Sequence, residues 1–149
     1  MQQMITILGP TASGKTPLAA ALACRVGGEI ISADSRQVYR RMDIGTGKDL
    51  ADYSVESPTS GICHVPYHLI DICEPGTKYN LYQYQQDFME AYGKIRSRGA
   101  VPILCGGTGL YIEAVLRGYR LSPVPQDTEL RRRLEGKSLT ELAGLLATL

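Results

Sequence analysis

The sequence predicts an α/β fold of the phosphate-loop nucleotide-binding type, in which helices flank a parallel sheet. Apolar runs that resemble strands alternate with helical periodicity along the chain, and this order is typical of parallel sheets. Two of these runs, at residues 4–8 and 100–105, lead directly into glycine-rich turns. The chain of 149 residues, 44% of them apolar, suits one globular domain with a single core.

Composition narrows the classes of partner. A net charge of +1 gives no overall attraction to nucleic acid or to a membrane, so a polyanion site would need a local patch. We find no signal-peptide pattern and no apolar run of membrane-spanning length, and we expect a cytoplasmic protein without a membrane partner. The four cysteines are far apart, which favours free thiols over a disulfide framework or a zinc site.

The first glycine-rich turn has the complete pattern G-x-x-x-x-G-K-[ST] of a phosphate-binding loop. Its residues are Gly9, Pro10, Thr11, Ala12, Ser13, Gly14, Lys15 and Thr16. Glycines in such a loop let backbone N–H groups turn toward phosphate oxygens at a helix N-terminus, and Lys15 adds positive charge. The hydroxyl of Thr16 is suited to ligate Mg²⁺. The chain is therefore expected to bind a phosphorylated ligand together with Mg²⁺.

The next elements place an acidic residue near that loop. Periodicity predicts a helix over residues 14–26, with Pro17 in its first turn, and a strand over residues 29–33 that ends at Asp34. Ligands of open parallel sheets bind outside the carboxyl ends of the strands, so Asp34 should face the same crevice as the loop. Asp34 could instead cap the segment that begins at Ser35, and the two roles are compatible.

The middle of the chain is less regular. Residues 45–66 contain several Gly and Pro turns, which predict a loop or a small inserted hairpin. Strand character returns at residues 67–72, and a helix is predicted over residues 80–98. The spacing of its apolar residues predicts a buried stripe made of Leu81, Tyr84, Phe88, Met89, Tyr92 and Ile95.

The second glycine-rich turn follows the strand at 100–105 and opens a helix over residues 110–116. It reads Gly106-Gly107-Thr108-Gly109, so a hydroxyl lies beside a helix N-terminus. Taken alone, this turn fits a tight connection as well as a ligand site. If the strands end at one edge of the sheet, both turns and Asp34 converge on one anionic ligand.

Other polar residues admit a structural explanation. Asp71, at the end of an apolar strand, fits a second carboxylate beside a metal about as well as a structural role. His68 fits a hydrogen-bonded packing residue better than a base. The run at 131–133, three arginines, could touch RNA phosphates but fits the solvated face of a helix better. Leucine spacing over residues 138–149 predicts an amphipathic helix.

Five segments together resemble the isopentenyltransferases that modify adenine, in particular the tRNA dimethylallyltransferases. They are residues 9–16 (GPTASGKT), 31–40 (ISADSRQVYR), 42–46 (MDIGT), 68–71 (HLID) and 106–111 (GGTGLY). The resemblance extends at least to Tyr119, and the combination of SADSRQVY with GGTGLY is specific to this family. One departure is Gly47-Lys48-Asp49, where many members continue with Ala-Lys-Pro. Members are longer and have a further helical region, so we expect this chain to be truncated at its C-terminus.

The resemblance implies transfer of a dimethylallyl group from dimethylallyl diphosphate to N6 of an adenosine beside the tRNA anticodon, with release of diphosphate. Residues 9–16 would hold the diphosphate, with Mg²⁺ on Thr16. Asp34 would accept a proton from the attacking amine, and Thr108 would bond the diphosphate oxygens.

The resemblance also implies contacts to the acceptor. The residues expected to contact tRNA are Asp34, Ser35, Arg36 and Gln37. We expect a monomer. Three alternatives remain: an isopentenyltransferase that uses free AMP, ADP or ATP, a phosphate-loop nucleotide or metabolite kinase, and a non-catalytic remnant that binds only the diphosphate.

Overall fold

The computed structural model describes residues 4–57, 61–123 and 127–148. Its elements in chain order are β1 (Ile5–Leu8), α1 (Lys15–Val26), β2 (Gly28–Ala33), a 3₁₀ turn (Leu50–Tyr53), β3 (Ser54–Ser57), β4 (Gly61–His64), β5 (Tyr67–His68), α2 (Leu81–Ser97), β6 (Val101–Gly106), α3 (Gly109–Leu116), α4 (Thr128–Glu135) and α5 (Leu139–Leu146).

Four parallel strands form the central sheet in the order β1-β6-β2-β5. The predicted α/β fold with a parallel sheet is therefore confirmed. In the register of this sheet, Leu8 of β1 and Ala33 of β2 both pair with Gly106 of β6. The carboxyl ends of three strands thus lie side by side, and the segments that follow them begin at one edge.

Helices cover both faces of the sheet. On one face, the small side chains Ala19, Ala20 and Ala23 of α1 pack in a cluster with Ile30 of β2. On the other face, residues of α2 and α3 pack in a second cluster with Ile31. Neighbouring residues of a strand point to opposite faces of the sheet, and here helices cover both faces. All six residues of β2 are therefore buried.

The long helix α2 follows the prediction closely. Asn80 and Gln83 form a capping box, in which each side chain accepts a hydrogen bond from the other residue's backbone N–H at 3.0 Å. The predicted buried stripe is wrong at one position, since Met89 is 51% exposed. Ala91 is buried in the stripe instead, next to Phe88 and Ile95.

The segment over 45–66, for which the sequence left a loop or a small hairpin open, contains the 3₁₀ turn and the antiparallel hairpin β3–β4. Residues 58–60 lie outside the described residues. The strand predicted over 67–72 was too long, since β5 ends at His68. Leu69 has φ 64 and Asp71 has φ 55, and left-handed backbone cannot continue a strand.

The C-terminal helices lie outside the core. Ser138 and Glu141 form a capping box that begins α5, within the predicted range 138–149. Residue 149 is outside the described part of the chain. α4 carries the three arginines at 131–133, and all three are exposed, as expected for the solvated face of a helix. Neither helix has a buried residue. None of the described helices is long and apolar enough to cross a bilayer.

Candidate active site

A cavity of about 250 Å³ opens at the carboxyl edge of the sheet. Its walls come from residues 9–16, hereafter loop 9–16, from the ends of β2 and β6, and from the 3₁₀ turn. The lining residues are Thr11, Ala12, Ser13, Gly14, Lys15, Thr16, Pro17, Ser32, Asp34, Gln37, Thr46, Gly47, Asp52, Tyr53, Cys105, Gly106 and Gly107. Most residues predicted to hold a ligand are thus brought together.

Loop 9–16 turns back on itself before α1. Gly14 has φ 77, which favours glycine, and the second left-handed residue is Ala12 at φ 59 rather than Gly9. The Ser13 hydroxyl donates to the Pro10 carbonyl at 2.8 Å, and the Lys15 ammonium donates to that same carbonyl. Lys15 therefore lies against its own loop, where its charge is available to an anion in the cavity.

The second glycine turn packs against loop 9–16 and against β2. A Cβ added at Gly106 would collide with the Ala33 carbonyl oxygen, which leaves no room for any side chain. A Cβ at Gly107 would lie 3.3 Å from the Gly9 carbonyl oxygen and 4.0 Å from the Lys15 ammonium. These glycines let the two turns approach each other and shape one side of the cavity.

Asp34 uses one carboxylate oxygen to fold the segment that follows it. Its Oδ1 accepts hydrogen bonds from the backbone N–H of Arg36 at 2.9 Å and of Gln37 at 3.3 Å. Among the described residues we find no hydrogen bond to Oδ2, and the side chain is 19% exposed at the cavity. The capping role is present, and it leaves the second oxygen for another partner.

Thr108 is tied to the segment after β2. Its backbone N–H donates to the Ala33 carbonyl at 3.0 Å, and its hydroxyl oxygen accepts the backbone N–H of Ser35 at 3.0 Å. It does not line the cavity in the described residues. The structure thus gives Thr108 a part in holding Asp34 in place, and its contact with diphosphate stays a prediction.

Of the residues expected to contact tRNA, Arg36 points outward and Gln37 points inward. The side chain of Arg36 is 52% exposed, with its Nε 3.9 Å from Asp34. The Gln37 amide donates to the carbonyls of Gly47 at 3.1 Å and Thr46 at 3.4 Å. Gln37 therefore fixes the neighbouring loop at the cavity wall, and Ser35, directly after Asp34, is half-buried.

Sequence reasoning missed the role of Lys48, whose side chain is 1% exposed. Its ammonium donates to Asp71 at 2.5 Å, to the Tyr39 carbonyl at 2.9 Å and to Asp43 at 3.0 Å. Burial alone would lower the pKa of Lys48, but the hydrogen bonds and charges of the two carboxylates outweigh it and raise the pKa. Asp71 thus has a structural partner and does not line the cavity.

Two further cavity residues come from the irregular segment, where the sequence pattern gave no signal. Asp52 is half-buried, and burial, followed by the nearby charge of Asp49, raises its pKa. Tyr53 is 6% exposed. Both lie in the 3₁₀ turn, which contacts α1. An Asp-Tyr pair within such a segment would have been hard to distinguish from ordinary turn residues.

His68 lies away from this cavity. Its Nε2 is 2.7 Å from Glu29 Oε2, and Arg98 donates to both oxygens of the same carboxylate. The hydrogen bond from Arg98 is the main reason that the pKa of Glu29 is lowered. His68 lines a second cavity of about 340 Å³ beside α2 that contains none of the predicted site residues. The expectation of a hydrogen-bonded packing residue is met by this geometry.

The described residues contain no group of three His, Cys, Asp or Glu side chains able to hold a metal ion. The side-chain oxygens at the cavity include the hydroxyl of Thr16 and the carboxylates of Asp34 and Asp52. Such hard oxygen donors suit Mg²⁺, which keeps several waters and binds through substrate phosphates. The residues present therefore fit Mg²⁺ held jointly with a phosphorylated ligand.

Family models and curated relatives that match this chain all describe transferases of isopentenyl or dimethylallyl groups. The family model described as IPP transferase matches residues 37–149, and the one described as isopentenyl transferase matches residues 2–57. tRNA dimethylallyltransferase 1 of Parabacteroides distasonis is 63% identical over 98% of this chain. tRNA dimethylallyltransferase 1 of Porphyromonas gingivalis is 66% identical over 97% of it. In both cases the match covers 46% of the relative, so the chain spans about half the length of these curated relatives.

Solved structures give the same picture. The tRNA isopentenylpyrophosphate transferase of Bacillus halodurans superimposes with a TM-score of 0.71 at 37% identity, covering 99% of this chain and 48% of that one. A eukaryotic dimethylallyltransferase described as acting on tRNA gives a TM-score of 0.78 at 26% identity, covering 99% of this chain and 36% of that one.

Proposed function

This chain belongs to the IPP transferase family, and on that premise we propose that it carries the donor-binding and catalytic part of a tRNA dimethylallyltransferase. The reaction is transfer of a dimethylallyl group from dimethylallyl diphosphate to N6 of an adenosine beside the tRNA anticodon. The observation that carries the proposal is the convergence of loop 9–16, Asp34 and Gly107 on one cavity. The names of the relatives supply the substrates.

Loop 9–16 binds the diphosphate of the donor. Its backbone N–H groups and the α1 N-terminus favour an anion, and Lys15 donates to the phosphate oxygens after leaving the Pro10 carbonyl. The hydroxyl of Thr16 would hold Mg²⁺, and the bound ion would supply positive charge against the departing diphosphate. Because charge on the diphosphate grows as its bond to the dimethylallyl carbon breaks, these donors act most strongly in the transition state.

Asp34 is the proton acceptor. As the bond between N6 and the dimethylallyl carbon forms, the attacking amine becomes positively charged and loses a proton. The Oδ2 oxygen takes that proton, while Oδ1 keeps the segment Ser35 to Gln37 folded through its backbone hydrogen bonds. Thr108 supports this arrangement from the second glycine turn.

The acceptor is tRNA, and Arg36, which is exposed beside Asp34, contacts its phosphates. Because the chain carries a net charge of only +1, its contact with RNA is confined to a local patch at this edge and does not spread over the whole surface. A tRNA acceptor supports the proposed cytoplasmic location, and the monomeric state stays a prediction.

The test separates the proposed function from its alternatives. Labelled dimethylallyl diphosphate is offered to the chain with Mg²⁺, and both its binding and its transfer to unmodified tRNA or to AMP are measured. We expect donor binding, and transfer to tRNA but not to AMP. Transfer to AMP would indicate the free-nucleotide enzyme, and ATP turnover without donor binding would indicate a kinase. Donor binding with no transfer to either acceptor would indicate a binding remnant.

A further inference from the structure

The side chain of Tyr53 reaches the cavity from outside loop 9–16. Tyr53 is the last residue of the 3₁₀ turn, it is 6% exposed, and it lines the cavity together with Lys15 and Asp34. Its backbone carbonyl accepts the N–H of Val65 at 2.8 Å, and its ring lies 4.5 Å from the ring of Tyr67 between centroids. Backbone and ring contacts therefore hold this side chain in one position.

The Tyr53 hydroxyl has no partner among the described residues, although its ring is buried. No hydrogen bond to its oxygen is found there, and yet no buried side-chain oxygen or nitrogen in the described residues lacks a partner. A hydroxyl oxygen that keeps some accessible surface satisfies both facts. The ionisable groups that act on this hydroxyl include Cys105, Asp52 and Asp34, which all line the cavity, so the hydroxyl lies close to the cavity wall.

The hydroxyl is a neutral hydrogen-bond donor at physiological pH. Burial is the main cause that raises the pKa of Tyr53, and nearby Cys105 and Asp52 add to it. The charged groups that share the cavity with it are Lys15, Asp34 and Asp52. A hydroxyl with no hydrogen-bond partner among the described residues can donate to an acceptor that enters the cavity.

We propose that the Tyr53 hydroxyl donates a hydrogen bond to a phosphate oxygen of the organic diphosphate held by loop 9–16. This inference rests on the proposed function, because it takes the donor diphosphate as the occupant of the cavity. It adds a side-chain donor from a separate element to the backbone donors of the loop. The 3₁₀ turn and the hairpin that follows it thereby contribute to the binding of the donor.

The experiment measures the affinity of the chain for inorganic diphosphate and for dimethylallyl diphosphate, by calorimetry in the presence of Mg²⁺. We expect Tyr53→Phe to weaken both affinities roughly tenfold to hundredfold, the usual effect of losing a hydrogen bond to a charged group. The matched control is Tyr67→Phe, which removes a hydroxyl from the neighbouring ring, and that ring does not line the cavity. Its affinities should stay within about twofold of the original chain.

A second measurement does not depend on the stability of the variant. The chain has no tryptophan and nine tyrosines, so the ultraviolet difference spectrum on adding diphosphate reports tyrosine environments. We expect a tyrosine difference signal in the unaltered chain and in Tyr67→Phe. A flat difference spectrum in the unaltered chain while diphosphate binds would overturn the contact.

The outcomes separate this inference from the proposed function. Diphosphate binding that is equal in Tyr53→Phe and the unaltered chain overturns the contact and leaves the proposed function standing. A variant that binds normally but transfers more slowly overturns it too, because Tyr53 would then act through Asp34. Failure of the unaltered chain to bind either diphosphate contradicts the proposed function and the contact together.

Discussion

At the scale of single residues, Asp34 uses its two carboxylate oxygens differently. Oδ1 accepts two backbone N–H groups and so determines the path of the segment after β2. Oδ2, which has no hydrogen bond among the described residues, lies on a side chain that lines the cavity. An amide at this position can keep the first function, because its oxygen also accepts hydrogen bonds, but it is not a base. This difference allows catalysis to be tested apart from folding.

We predict that Asp34→Asn removes the proton acceptor and keeps the turn over residues 34–37, because the amide oxygen can still accept the two backbone hydrogen bonds. Transfer to tRNA should fall by about 10²- to 10⁴-fold, the range for loss of a general base, whereas affinity for dimethylallyl diphosphate should change little. Single-turnover transfer and calorimetry would measure the two quantities. Asp34→Ala is the comparison, since it also removes the Oδ1 bonds and should lower the melting temperature further. Transfer at the original rate in Asp34→Asn would remove this carboxylate from the chemistry.

At the scale of elements, the close approach of β6 and β2 depends on the absence of a Cβ at Gly106. The space at Gly106 is closed by the Ala33 carbonyl, which is a backbone atom in the centre of the sheet and cannot rotate away. Gly109, at the first position of α3, has no described atom within 4 Å of the position that a Cβ would take. Two glycines of one turn therefore differ in their tolerance of alanine.

We predict that Gly106→Ala lowers the free energy of unfolding by about 1–3 kcal/mol, as overpacking of a core usually does. It should also weaken diphosphate binding, because separating the strand ends disturbs the cavity. Gly109→Ala should leave stability unchanged or slightly higher, since alanine favours a helix over glycine. Urea unfolding of both variants measures the difference. Equal stability of the two variants would show that the sheet adjusts without cost.

The loop at residues 42–48 is a second element whose position depends on a few side-chain hydrogen bonds. Lys48 ties it to the segment after β5 through Asp71, and Gln37 holds its end at the cavity. The pKa of Lys48 is higher in the folded chain than the value of 10.5 expected for the unfolded chain. The stability that this lysine contributes is therefore fully present below pH 10.5, and it is lost as the pH rises through the raised pKa. The contribution of Lys48 is therefore constant across the neutral range.

We predict that Lys48→Met lowers the free energy of unfolding by about 1–2 kcal/mol, since charged hydrogen bonds are lost but Asp43 and Asp71 are partly solvated. The loss should be the same at pH 6 and pH 9. Lys94→Met is the control, because Lys94 forms an exposed pair with Glu90, and its effect should stay below about 0.5 kcal/mol. A loss in Lys48→Met no greater than in Lys94→Met would contradict a structural role for the buried ammonium.

At the scale of the whole molecule, the sequence predicted what depends on strand order along the chain. Asp34 and Gly107 meet loop 9–16 because parallel strands share a carboxyl edge, a rule that needs no knowledge of side-chain packing. Lys48 and Tyr53 were missed because they lie in an aperiodic segment, where only tertiary contacts decide what a side chain faces. Met89 was misassigned because helical spacing gives only the direction of the buried face. How wide that face is depends on the elements packed against the helix, and Met89 lies beyond the part that they cover.

The distribution of buried residues also determines which part of the chain stabilises the fold. Every member of the two core clusters lies within residues 19–115, and α4 and α5 contribute none. Leu139 and Leu146 of α5 are 84% and 73% exposed. Burial of apolar surface is the main source of stability, so in this chain α4 and α5 should add little to it.

We predict that a variant ending at residue 123 keeps its melting temperature within about 5 °C, because a change of 1 kcal/mol shifts a domain of this size by only a few degrees. Its affinity for inorganic diphosphate should also be unchanged, since no lining residue of the cavity lies beyond Gly107 in the described chain. Phe88→Ala, at a fully buried position, is the positive control and should cost about 3–5 kcal/mol. Circular dichroism melts and calorimetry would measure both. A fall in melting temperature comparable to that of Phe88→Ala would mean that α4 and α5 pack on the core in solution.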